Sequence, residues 1–191
     1  LPVGGAMVSI ATGEGPVSEA LQGYAESVSL AAVNGPASVV IAGREAEVLA
    51  LAQRFEEGGV KTRRLPVSHA FHSPLMEPML EEFRRVAEQV WYARPTIPVV
   101  SNVTGRMAGE EISTPGYWVE QVRRAVRFAD GVKALHEAGA RTYVEVGPRG
   151  TLLSMVPACV PDASPQLLGS LRSGRDEATS TCPSQRISRR S

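Results

Sequence analysis

The sequence predicts an α/β (α+β) chain in two parts, and three observations carry that expectation. Short apolar segments alternate with amphipathic helical ones along most of the chain. Turn signals such as Asn34-Gly35-Pro36 and Gly58-Gly59 fall between them. A histidine-containing segment, Val67 to Pro74, separates a strand-rich first part from a more helical second.

Ala6 to Ala11 reads as a strand and Pro16 to Gly23 as a short helix. Ser27–Val33 and Ser38–Ala42 are two further strands, and the Asn34-Gly35-Pro36 turn joins them as an antiparallel hairpin. Glu45 to Glu57 follows as a helix, with Val48, Leu51, Ala52 and Phe55 on one face and Gly58-Gly59 as its stop. Val60 to Pro66 is a fourth strand. The order β-α-β-β-α-β is the split βαβ, ferredoxin-like pattern, and it fills residues 1–66.

In the second part, Ser73 caps a helix that Pro74 opens and that runs to about Val90. Pro98–Val103 reads as a buried strand turned by Thr104-Gly105, and Arg106–Glu111 as an exposed charged loop. Thr114-Pro115 starts a helical region whose apolar stripe runs through Tyr117, Trp118 and Val122. It continues through Phe128, Val132, Leu135 and Ala138, and Gly139 closes it. Thr142–Val146 is a short strand, Leu152–Cys159 a helix and Gln166–Leu171 a last edge strand. Trp118, Met76 and Met79 sit at core spacing. These strands are too few for a complete layer, and the expectation is that the missing ones lie upstream of Leu1. From Ser173 onward apolar periodicity stops, and residues 173–191 read as a disordered or aberrant tail.

Composition excludes several function classes. Of 191 residues 43% are apolar, and 20 basic side chains balance 20 acidic ones, which gives no electrostatic reason to expect nucleic acid. No run of eighteen apolar residues or charged leader suggests a membrane span or export signal, so a cytoplasmic location is expected. Two cysteines, Cys159 and Cys182, lie far apart without ligand spacing and read as reduced thiols. A chain that opens on Leu1 inside an apolar segment reads as a piece of a longer polypeptide.

His69 and His72 carry the sharpest chemical signal. A zinc site would need further convergent ligands, and neither His136 nor either cysteine is near in sequence, so no metal is expected. Loop histidines that only bond backbone groups are the plain alternative. Against it, His72 stands just before a helix start, where the positive end of the dipole disfavours an imidazolium and favours a neutral ring able to accept a proton. Gly147-Pro148-Arg149-Gly150 lacks nucleotide-binding spacing and reads as a tight strand-to-helix turn. Glu145, inside an apolar strand, reads as facing an edge or pairing with an arginine.

Several dispersed blocks then resemble one family. They are Gly4-Gly-Ala-Met7, Leu30-Ala-Ala-Val-Asn-Gly-Pro36, Val39-Val-Ile-Ala-Gly43, Val67-Ser-His-Ala-Phe-His-Ser-Pro74 and Pro98-Val-Val-Ser-Asn-Val-Thr-Gly105. Tyr117-Trp118, Val126-Arg-Phe-Ala-Asp130, Glu145-Val-Gly-Pro148 and Ser170-Leu-Arg172 complete the set. In order and spacing they resemble the C-terminal portion of a polyketide synthase acyltransferase domain, of the malonyl-CoA:acyl carrier protein transacylase family.

The resemblance implies a ferredoxin-like small subdomain at 1–66. Residues 67–172 would then be the C-terminal part of a larger, α/β-hydrolase-like acyltransferase subdomain. It implies transfer of malonyl from malonyl-CoA to a serine in a G-H-S-x-G elbow, then to the phosphopantetheine thiol of an acyl carrier protein. No bound cofactor is implied; the ketosynthase and other domains of a parent synthase are the further partners. By the same resemblance His72 is the base. A backbone carbonyl in the segment matching Val126-Arg127-Phe128, with Arg127 as candidate, orients its ring as a carboxylate does in a triad. The His69-Ala70-Phe71-His72 block goes with malonyl units, with Phe71 filling the space of an α-methyl group and His69 shaping the pocket.

No G-H-S-x-G occurs in the 191 residues, so the isolated chain is expected to be inactive. The unfamiliar tail suggests a truncated or frameshifted reading frame. A non-catalytic ferredoxin-like module binding a small ligand or partner is the rival reading, and a hydrolytic version of the same fold is a third.

Overall fold

The computed structural model describes residues 3–171; the expected tail at 173–191, with Cys182, lies outside the described residues. The first part holds β1 (Gly5–Ile10), α1 (Glu14–Ala20), β2 (Val28–Gly35), β3 (Ser38–Arg44), α2 (Glu45–Glu57) and β4 (Thr62–Arg64). Its sheet runs in the order β2-β3-β1-β4, with every neighbour antiparallel. The expected fourth strand over Val60–Pro66 shrinks to Thr62, Arg63 and Arg64 in register with β1, with one flanking bond at each end, Leu65 N–H to the Met7 carbonyl and Ala11 N–H to the Lys61 carbonyl.

The interior strand β3 explains its own composition. Val39 and Ile41 pack into one core with Val8, Ile10 and the α2 residues Val48, Leu51 and Ala52. Val40 and Ala42 point to the opposite face and pack with Met7, Ala31 and Ala70. A strand covered on both faces reads as a continuous apolar run instead of an alternating one, and Val39-Val-Ile-Ala42 is such a run. The helices α1 and α2 thus lie toward one face of the sheet, while the histidine segment covers the other.

The second part begins with a 3-10 turn (Pro74–Met76) that leads into α3 (Glu77–Ala87), where a single helix to Val90 was expected. Further on come α4 (Pro115–Arg123), α5 (Phe128–Glu137), β5 (Thr142–Glu145), α6 (Val156–Cys159) and β6 (Gln166–Gly169). A 3-10 turn, Leu153–Met155, supplies the first turn of the helix expected from Leu152. Strands β5 and β6 pair in parallel.

Two expectations need correction. Pro98–Val103 is not a strand; one isolated bridge, Val100 to Met107, is all that forms. The cause is Ser101, whose Oγ accepts the N–H groups of Val103 and Thr104 at 3.1 and 3.3 Å and bends the chain away from a ladder. Tyr117 donates to the same oxygen at 2.9 Å, so this buried hydroxyl is satisfied. The helical region from Thr114 to Gly139 is likewise two helices. Between them Val126 leaves the helix to pair with the free edge of β2: its N–H donates to Ala31 and its carbonyl accepts from Val33. A tertiary pairing overrides a helical period here. Trp118, read as core, is half-exposed with its indole N–H on the Ile112 carbonyl.

Candidate active site

Residues 67–73 lie across the face of the first sheet, and the sequence permits it at Gly5. A Cβ built there would meet Ala70 Cβ at 2.7 Å and Leu75 Cδ1 at 2.9 Å, so only glycine lets the segment approach β1 this closely. Ala70 is buried against the sheet. Ser73, fully buried, donates to the Ala70 carbonyl at 2.6 Å and accepts from the Leu75 N–H at 3.2 Å. It is therefore both the N-cap of the 3-10 turn and the clasp of the loop before it.

His72 is the single non-glycine residue with positive φ among the described residues, at 58°. An L side chain there crowds its own carbonyl, at a cost of about 1–2 kcal/mol. Its carbonyl accepts a hydrogen bond from the Ser29 hydroxyl of β2 at 2.7 Å. Nδ1 of the ring is buried and has no hydrogen-bond partner among the described residues. Burial holds the His72 pKa below the ordinary 6.5, and the main-chain carbonyls of Arg124 and Gln121 partly oppose that by favouring the charged ring. The direction matches the expectation from the helix start; the principal cause is desolvation.

The main-chain groups that favour the charged ring belong to the end of α4. Arg127 accepts the Gly131 N–H on its carbonyl and donates its own N–H to Asn102. Its guanidinium spans two carboxylates, Glu14 and Asp130, each at 2.6 Å. It joins the start of α1 to the start of α5. His69 and Phe71 flank Ala70 with ring centroids 6.2 Å apart. His69 Nδ1 lies 3.0 Å from Ser68 Oγ, and Phe71 is 41% exposed.

Glu145 also acquires a partner. Its two carboxylate oxygens accept the N–H groups of Thr151 and Leu153 at 3.1 and 2.9 Å. The amides that a phosphate would seek after the Gly147–Gly150 turn are thus taken by a side chain of the chain itself. Among the described residues no group of three His, Cys, Asp or Glu converges as a metal would require, and no helix is long and apolar enough to cross a membrane.

Sequence reasoning missed Ser29, Gln121 and Arg124 at this site. The last two act through main chain, which leaves no mark on residue type. Gly5 lies in the Gly4-Gly-Ala-Met7 block, and the reason for it is Ala70, a neighbour distant in sequence.

Comparison with known proteins gives the family of the chain. The family model described as "Acyl transferase domain" matches residues 1–186. The chain is 49% identical over 184 residues to polyketide synthase GfsA of Streptomyces halstedii, covering 94% of this chain and 2% of that protein. It superposes on the acyltransferase domain from the second module of the salinomycin polyketide synthase with a TM-score of 0.89 and 52% identity. That match covers 93% of this chain and 42% of the solved one. FabD from Acinetobacter baumannii matches with a TM-score of 0.82 and 28% identity, over 91% of this chain and 56% of that one. The chain therefore spans a small part of its curated relatives and about half of the solved domains. It belongs to the acyl transferase domain family, and its relatives are polyketide synthases.

Proposed function

We propose that this chain carries the proton-transfer and acyl-selecting half of a malonyltransferase site. That site moves malonyl from malonyl-CoA to a serine, and then to the phosphopantetheine thiol of an acyl carrier protein within a cytoplasmic polyketide synthase. The observation that carries the reading is His72: a half-buried ring of lowered pKa, on a strained backbone, near the main chain of Gln121 and Arg124. A neutral imidazole with one nitrogen directed to a carbonyl leaves the other free to take a proton from a hydroxyl or thiol. The serine's proton would pass to His72 as the thioester carbon is attacked and return to the departing coenzyme A thiolate. In the second half-reaction His72 would take the carrier thiol's proton and return it to the serine as the malonyl group leaves.

The orienting role passes from Arg127 to the carbonyls of Gln121 and Arg124. Phe71, next to the base and partly exposed, would occupy the space an α-methyl group needs, with His69 beside it. We take residues 1–66 as a ferredoxin-like subdomain, supported by the β2-β3-β1-β4 order. Residues 67–172 are taken as part of the larger, hydrolase-like one. With no G-H-S-x-G in its 191 residues, this chain needs its serine from elsewhere in the synthase.

The test joins the chain to the serine-bearing segment of the matched salinomycin domain and follows radiolabelled malonyl onto a carrier protein. Transfer is expected from the joined domain and none from the chain alone. His72→Ala should lower the rate by about a hundredfold or more. Phe71→Ser should raise methylmalonyl use relative to malonyl by about tenfold, within the 1–3 kcal/mol that one methyl group decides. Serine-linked malonyl on the unjoined chain, or full transfer by His72→Ala, would refute the reading.

A further inference from the structure

The strained backbone at His72 is held from a distant part of the chain. Ser29 lies opposite Ala42 in the β2–β3 register, and residues opposite one another in an antiparallel pair share a face. Ala42 and Ala31, two residues along β2, pack with Ala70, so that face is the one the histidine segment covers. From there the Ser29 hydroxyl reaches the His72 carbonyl at 2.7 Å across 43 residues of sequence.

We propose that Ser29 is a positioning residue for His72: its hydroxyl fixes the peptide plane after the histidine and so sets the direction of the ring. The proposal rests on the reading of His72 as the base. A left-handed residue persists only where its surroundings over-determine it, and the hydrogen bonds around His72 show which groups do so. Ser73 clasps the carbonyl of Ala70, two residues before His72. Ser29 alone donates to the carbonyl of His72 itself among the described side chains. The strand that carries Ser29 is a firm support. It is bonded along one edge to β3 and on the other to Val126. The base consequently stands on the first sheet through Ser29, while its ring faces carbonyls of α4 in the second part.

Two substitutions of nearly equal shape isolate the hydroxyl. Ser29→Thr keeps it; Ser29→Val replaces it with a methyl group. Titration of the His72 ring by NMR in the 191-residue chain needs no catalysis. Wild type and Ser29→Thr should titrate below 6.5, whereas Ser29→Val should move towards 6.5 as the ring gains freedom and water. The amide spectrum of each variant shows whether the chain is folded, and Ser29→Ala replaces Ser29→Val if the larger side chain is not accommodated.

In the joined domain described above, Ser29→Val should lower kcat about tenfold with KM little changed, the pattern of a misaimed group rather than lost binding. Ser29→Thr should restore it. Identical His72 titration in folded Val (or Ala) and Thr variants would overturn the proposal. Full transfer by His72→Ala overturns instead the reading on which it rests, and the titration tells the two failures apart.

Discussion

The two sheets of this chain differ in how they are finished. The four-stranded β2-β3-β1-β4 sheet buries apolar side chains on both faces of its interior strand β3, and both edges of β2 are hydrogen-bonded. The β5–β6 pair is parallel, a pairing that ordinarily lies under cover on both faces. Yet Val144 is 58% exposed, and Val146, just beyond β5, is 86% exposed. Tyr143 of β5 and Leu167 of β6 join the core of the first sheet, so the difference teaches which side chains hold the chain together: those turned to that core, and not Val144 or Val146. The second pair presents apolar side chains to solvent that contribute little to holding this chain together.

The sharpest way to break that contrast is Ile41→Ala. Ile41 is fully buried at the centre of β3, and its truncation should cost about 3–4 kcal/mol, read as a lower urea midpoint at unchanged slope. A loss under about 1 kcal/mol would mean that the first sheet is not the dominant core.

A smaller effect should come from pH. The folded His72 binds its proton less readily than the unfolded chain, where the pKa is near 6.5. Above pH 6.5 both states are neutral at this residue and its contribution is constant. As pH falls below 6.5 the unfolded state takes up the proton first and stability declines, levelling only below the folded pKa. Comparing urea midpoints between pH 7.5 and 5 in wild type and His72→Gln should show a shallower decline in the variant. Equal slopes would place the ring in water rather than under the loop.

The smallest effect is expected at Val146→Asp. A charge on a side chain already in solvent should change stability by no more than about 0.5 kcal/mol. A loss comparable to Ile41→Ala would show that the β5–β6 side has cover that exposure does not reveal.

Legibility in the sequence follows the range of the interaction that decides each element. Helix α2 runs over Glu45–Glu57 as its period and its terminal glycines predict, because its burial stripe and its stop are local signals. The β2–β3 hairpin was legible for the same reason, with Asn34-Gly35-Pro36 marking the turn. The strand expected at Pro98–Val103 failed because a serine hydroxyl outcompeted the ladder. The long helix failed because Val126 found a partner on β2, almost a hundred residues earlier. At the site, His72 and its buried capping neighbour Ser73 were readable from residue type and position. Ser29 was not, since one hydroxyl in an apolar strand carries no pattern, and Gln121 and Arg124 face the ring through atoms that every residue possesses.

The close approach of Ala70 to Gly5 bears on any attempt to move the His69–His72 segment between such domains. The four residues His69 to His72 look like a portable cassette. Their placement, however, depends on a missing side chain at position 5 and a hydroxyl at position 29, with main-chain carbonyls at 121 and 124 facing the histidine. Moving the cassette into a host with a bulkier residue at the first position would lift the loop from its seat. The recipient would carry the right letters at the wrong height.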